Sequence, residues 1–126
     1  MARSDSGAVA ILRDASLRDA PQDEDLTTFD DFSKTLSSEA PPDDIAGPLA
    51  GLWWAAKGDW DKSHKIVQDD ESREAAWVHA YLHRVEGDLP NASYWYRTAG
   101  KPVATGALDD EWGAIATELL DAARKP

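Results

Sequence analysis

The sequence contains no cysteine, so disulfide bridges and cysteine-ligated metals are both excluded. It also lacks the phosphate-binding patterns GxGxxG and GxxxxGK[ST] and the GxSxG turn of serine hydrolases. Its one adjacent serine–histidine pair, Ser63–His64, faces diverging directions on a predicted helix. Because no pattern supports catalysis, we expect a protein that is not an enzyme and that carries no cofactor.

Long apolar runs and a basic surface are absent as well. The apolar stretch Gly7–Leu12 is too short to cross a bilayer, and its acidic flanks are atypical of a signal peptide. The formal net charge is −11, with no basic stripe, which disfavours nucleic acids and anionic membranes as partners. These features predict a cytoplasmic protein with neither nucleic acid nor a membrane as its partner.

Aromatic and helix-forming residues are plentiful. Six residues are tryptophan and 42% of the chain is apolar, which indicates a packed core. Capping residues and helical apolar spacing recur, whereas no segment alternates long enough for a strand. We therefore predict an all-α fold of six or seven short helices. An acidic N-terminal arm with one or two short helices covers residues 1–42, and a helical-repeat domain with a C-terminal capping helix covers residues 43–126.

The arm carries two short apolar faces. Residues 6–19 could form one short helix around the apolar stretch Gly7–Leu12, with Ser6 as its cap. In a second predicted helix, Phe29, Phe32 and Leu36 share one face, because they are spaced by three and four residues. The arm therefore either folds back on the body or awaits a partner.

One short unit occurs twice in the second region. "GDWDKSHKIV" (Gly58–Val67) and "GDLPNASYWY" (Gly87–Tyr96) are offset by 29 residues. In each, glycine suits the left-handed end of one helix and aspartate can cap the next. Ser63 and Ala92 are small enough to let two helices approach closely. The pattern predicts two copies of one helix–turn–helix hairpin.

These residues resemble the turn and second helix of tetratricopeptide and Sel-type repeats over about residues 46–102. The resemblance implies a compact array of antiparallel helical hairpins that binds a protein or peptide, or a second copy of itself as a homodimer. The function it implies is a non-catalytic interaction or scaffold module with an aromatic groove. The family's concave side would carry Trp77, Tyr81 and Arg84. The three adjacent rings of "YWY" point in three directions, so the predicted partner-binding residues also include Tyr94 and Trp95.

The remaining pattern is His79, His83 and Glu86, spaced to share one helix face. Two imidazoles and a carboxylate can hold a metal, with His64 as a further ligand, so the alternative function is a small-ligand or metal-binding protein, with or without catalysis. The competing interpretation is a structural histidine pair, and the sequence alone assigns no metal. In the repeat register both histidines fall at buried positions, so either they are unusually buried or the register slips.

Overall fold

The structure is a computed structural model that describes residues 28–124. This part of the chain is all-helical, as predicted, and contains no strand. The helices are α1 (Phe29–Lys34), α2 (Pro48–Ala56), α3 (Trp60–Gln68), α4 (Arg73–Val85), α5 (Leu89–Ala99) and α6 (Leu108–Arg124), with a 3-10 turn (Thr35–Ser37) after α1. Among the described helices, none has the length and apolar character needed to cross a membrane.

The two Gly-Asp turns have the same geometry. Gly58 and Gly87 adopt φ values of 83° and 85°, the left-handed region that glycine enters without a steric penalty. In both turns the aspartate N–H donates to a carbonyl five residues earlier, which is the Schellman pattern of a helix end. The side chains of Asp59 and Asp88 then cap α3 and α5 by accepting from the backbone N–H three residues on. The sequence predicted this shared turn, and the structure confirms it.

Small residues bring α2 and α3 together. A β-carbon added at Gly51 would lie 2.9 Å from Cγ1 of Val67, so the crossing requires glycine. Ser63 is fully buried on the facing side of α3, as is Ala92 at the equivalent position of α5. The antiparallel hairpin array of the tetratricopeptide type stays a prediction.

Helix α4 lies at the centre of the described bundle. It packs against α2, α3, α5 and α6. Its first half buries Ala75 and Val78, and Tyr81 and Leu82 continue the same core. The side chains that α4 directs away from this core decide where a functional site can form.

Part of the predicted arm packs on this body. The ring of Phe32 is fully buried and stacks on Trp112 of α6, with 5.7 Å between ring centroids. Thr35 accepts a hydrogen bond from Nε1 of Trp53 at 3.0 Å. Folding back is therefore observed for residues 28–37, while the helix predicted around Gly7–Leu12 lies outside the described residues.

Candidate metal centre

All three histidines of the chain meet between α3 and α4. His64 comes from α3, whereas His79 and His83 come from α4. One ring nitrogen of each lies within 4.8 Å of the others, and the Nε2 atoms of His64 and His79 are 3.1 Å apart. We call these residues the histidine cluster.

Helical spacing explains how two of the rings are aligned. His79 and His83 are four residues apart, so they share a face of α4 and stack with their centroids 4.9 Å apart. Both are buried, with 4% and 7% of their surface exposed. Both histidines are therefore buried, while the repeat register stays a prediction. His64 closes the cluster from α3 and is only half-buried, so the opening to solvent lies on its side.

Indole rings enclose the cluster on two sides. Trp60 stacks on His64 one helical turn away, at 4.6 Å between centroids and an interplanar angle of 11°. Trp95 of α5 stacks on His79 at 3.9 Å and 17°. Nε1 of Trp60 donates to the carbonyl of Leu82 at 2.8 Å, which fixes that ring against α4. The imidazoles thus lie in a low-dielectric, largely aromatic environment.

Burial and mutual repulsion favour the neutral forms of His64 and His79. Desolvation lowers the pKa of His79 to about 4, and positive charge on His64 or His83 would lower it further. Desolvation also lowers the pKa of His64, followed by the effect of His83, while Glu86 and Asp61 act in the opposite direction. Neutral imidazole is the form that ligates metals, so at neutral pH His64 and His79 offer nitrogen lone pairs rather than positive charge.

Hydrogen bonding within the cluster is incomplete. Nδ1 of His79 and Oγ of Ser63 are both buried without a hydrogen-bond partner. Nδ1 of His83 lies 2.7 Å from a carboxylate oxygen of Glu86. A buried polar atom without a hydrogen-bond partner costs roughly 1–3 kcal/mol of folding free energy. Apolar side chains at these positions would avoid that cost, so packing alone does not explain the polar atoms.

The residues predicted to bind a partner are not brought together in one groove. Tyr81 lies in the core, where burial and then nearby Glu111 raise its pKa to about 12. Arg84 donates to Glu111 of α6 at 2.7 Å and to the carbonyl of Gly106. Trp77 is half-buried beneath the ammonium group of Lys101, 4.1 Å from its ring centroid. These side chains are engaged with other parts of the same chain.

The rings of α5 divide between surface and interior. Tyr94 is 52% exposed, whereas Tyr96 is fully buried and Trp95 covers His79. This agrees with the expectation that three adjacent rings cannot share one core. A groove of about 580 Å³ lies between α5 and the segment before α6. It is lined by Leu89, Val103, Leu108, Tyr96 and Arg84, among others. Of the five predicted partner-binding residues, Arg84 is the one that lines it.

Sequence reasoning placed His79, His83 and Glu86 together but gave His64 a secondary part. In the structure His64 is the third member of the cluster, and Glu86 instead accepts a hydrogen bond from His83. The available signal was the turn. Gly58 folds α3 back on α2. One face of α3 carries Trp60, Ser63, His64 and Val67. Because this face is the apolar one, it predicts that His64 faces a neighbouring helix rather than solvent.

Comparison with protein-family models, curated proteins and solved structures gave no match, so the chemistry of this site rests on its own residues.

Proposed function

We propose that this protein binds a transition-metal ion through His64, His79 and His83. The observation that carries the proposal is the convergence of every histidine of the chain at one buried place. In a tetrahedral zinc site the nitrogens lie about 2.0–2.1 Å from the ion, which separates them by about 3.4 Å. The measured separations, 3.1 Å for one pair and no more than 4.8 Å for any, need only small ring movements to reach that geometry.

The donor set favours a transition-metal ion over magnesium or calcium. Imidazole suits zinc, copper, iron and nickel, whereas magnesium and calcium prefer oxygen ligands. The histidine cluster contains three nitrogens and no carboxylate. Three protein ligands leave a fourth position for water or another small ligand.

A bound ion would join two helices that belong to different Gly-Asp turns. His64 lies on α3 after the first turn, and the other two ligands lie on α4 before the second. Binding to the folded state alone stabilises it by about 2.7 kcal/mol when the free ion is at 100 times its dissociation constant. We therefore expect the ion to stabilise the contact between α3 and α4.

Metal analysis and calorimetry of the untagged protein test this proposal. We expect one zinc ion per chain by elemental analysis, and a cobalt derivative whose visible spectrum reports nitrogen ligation. His64→Ala removes a half-buried ligand from the surface of α3, so it should fold and lose the ion. Asp109→Asn with Asp110→Asn is the matched control, because it removes two exposed carboxylates far from the histidines in sequence. Absence of stoichiometric binding, or equal binding by His64→Ala, would contradict the proposal.

A second candidate function is the interaction module that the sequence predicted. The observation that favours it is the groove between α5 and the segment before α6, where Leu89 and Val103 are 59% and 51% exposed. Apolar side chains grouped in this way are typical of a surface that a protein, a peptide or a second copy of the chain can cover. The repeated turn supports the same proposal, because tandem helical hairpins commonly present such surfaces.

Self-association and capture from cell extract test this second function. We expect Leu89→Ser to reduce the mass measured by light scattering, or the amount of a captured partner. Val85→Ser is the matched control, because Val85 is also exposed but does not line the groove. An effect of the same size in both variants would reject the groove as the binding surface.

A further inference from the structure

His83 belongs to two overlapping groups of potential ligands. The inner group is the histidine cluster. The outer group consists of His83, Glu86 and Asp88, whose ligand atoms also lie within 4.8 Å of one another. The two groups use the same imidazole, so an ion in one of them affects the other.

The hydrogen bond of His83 separates the two possibilities. An ionised carboxylate can only accept, so the 2.7 Å contact with Glu86 places a proton on Nδ1 of His83. A neutral imidazole carries one proton, and therefore Nε2 keeps its lone pair. In this tautomer His83 can serve the inner group through Nε2, and it cannot ligate an ion in the outer group through Nδ1.

The carboxylate of Asp88 in the outer group already accepts hydrogen bonds from the protein. One carboxylate oxygen of Asp88 accepts from the backbone N–H of Asn91 at 3.3 Å, and the other accepts from its side-chain amide at 3.1 Å. These bonds cap α5, and they hold the pKa of Asp88 below its usual value. The carboxylates of the outer group thus already have hydrogen-bond partners in His83 and Asn91. The inner group, in contrast, retains the buried Nδ1 of His79 without a partner.

We propose that Glu86 is a positioning residue that selects the inner site: by holding the proton on Nδ1 of His83, it reserves Nε2 for the ion. This inference rests on the proposed metal function. Glu86 does not touch the ion in this arrangement. Carboxylates that orient ligating histidines in this way change metal affinity by about 10–100-fold when they are removed.

Nitrogen NMR of the imidazoles tests the tautomer without any metal. In metal-free protein at pH 7.5, the ¹⁵N shifts of His83 should report a proton on Nδ1. In Glu86→Ala they should move towards a mixture of both tautomers, and Glu86→Gln should largely restore the Nδ1–H form, because its amide oxygen still accepts. Glu86 is exposed at the C-cap of α4, so these variants should fold. A His83 that keeps Nδ1–H in Glu86→Ala would overturn the proposal.

Zinc affinity then tests the consequence. We expect the dissociation constant to rise by about 10–100-fold in Glu86→Ala and by less in Glu86→Gln. Asp61→Asn is the charge control, since Asp61 also acts electrostatically on His64 but does not contact His83 in any described hydrogen bond. It should leave the His83 tautomer unchanged and weaken zinc binding less than Glu86→Ala does.

The possible failures can be told apart. If the wild-type chain binds no zinc, the metal function fails, and the tautomer measurement still decides whether Glu86 orders His83. If the wild type binds zinc and Glu86→Ala binds equally well, the positioning role is wrong and the metal function stands. Equal losses of zinc affinity in Asp61→Asn and Glu86→Ala would show that Glu86 acts only through its negative charge, which would overturn the positioning role.

Discussion

Two buried polar clusters lie against α4, and they differ in how completely their hydrogen bonds are made. Next to α6, Glu111 accepts from Arg84 at 2.7 Å and from the hydroxyl of Tyr96. Next to α3, the histidine cluster leaves Nδ1 of His79 buried and unpaired. The first cluster pairs a cation with an anion, and the second brings three imidazoles together.

The difference separates a structural network from a candidate site. In the Arg84–Glu111–Tyr96 network each polar group satisfies another, and the bonds connect α4, α5 and α6. Burial, with the hydrogen bond to Glu111, raises the pKa of Tyr96, so this hydroxyl stays a donor throughout the physiological range. In the histidine cluster, by contrast, Nε2 of His79 contacts Nε2 of His64 at 3.1 Å, while Nδ1 on the other side of the ring has no partner.

The largest expected effect comes from breaking the satisfied network. Glu111→Leu leaves the guanidinium of Arg84, whose side chain is 13% exposed, without its counter-ion and the hydroxyl of Tyr96 without an acceptor. Removing one partner of a buried ion pair costs about 3–5 kcal/mol, which we expect as the loss in unfolding free energy by urea denaturation. A loss below about 1 kcal/mol, the value typical of exposed pairs, would show that the network is not structural.

Acid should destabilise the protein through the other cluster. Because the folded state depresses the pKa of His79 to about 4, the unfolded chain takes up the proton near pH 6.5 and the folded chain does not. The stability that neutral His79 contributes to the folded state is therefore fully present above pH 6.5, and it is lost as the pH falls towards 4. We expect a decrease of roughly 2–3 kcal/mol over that range in metal-free protein.

The charged groups around His79 determine how steeply the unfolding free energy changes with pH. His64 and His83 repel a proton on His79, whereas Glu86 and Asp61 act favourably on a proton at His64. Thermal unfolding between pH 4 and pH 7.5 measures the effect, with His79→Phe as the control. An equally steep pH dependence in His79→Phe would assign the acid sensitivity to the carboxylates of the chain.

A smaller effect of opposite sign is expected at neutral pH. His79→Phe keeps a ring against Trp95 and removes the unpaired Nδ1, so it should raise the unfolding free energy of metal-free protein by about 1 kcal/mol. Added zinc should stabilise the wild type and leave this variant unchanged. If His79→Phe destabilises the metal-free protein, the 3.1 Å contact between Nε2 of His79 and Nε2 of His64 stabilises the fold by more than the unpaired Nδ1 costs.

The smallest effect should come from an exposed counterpart of the Arg84–Glu111 pair. Lys101 and Glu118 also form an ion pair, but 29% and 56% of their side-chain surfaces are exposed. Glu118→Gln should cost less than about 1 kcal/mol, and the loss should shrink further in high salt. A cost similar to that of Glu111→Leu would mean that burial is not what distinguishes the two pairs.

Much of the local structure could be read from short stretches of sequence. Gly58 and Gly87 end helices in the left-handed conformation, and Asp59 and Asp88 cap the next ones. These are interactions among neighbours in the chain, so local chemistry is sufficient to predict them. The same holds for the pairing of His79 with His83, because helical spacing alone brings the two rings onto one face.

The sequence by itself therefore determined an all-helical fold, its turns and the apolar faces that form its core. Only the tertiary structure decided that His64 completes the histidine cluster and that a carboxylate oxygen of Glu86 lies 2.7 Å from Nδ1 of His83. It also decided that Arg84 is held by Glu111, 27 residues away. The physical reason is that backbone periodicity assigns a residue to a face of its own helix, whereas the partner it meets there depends on how separate helices cross.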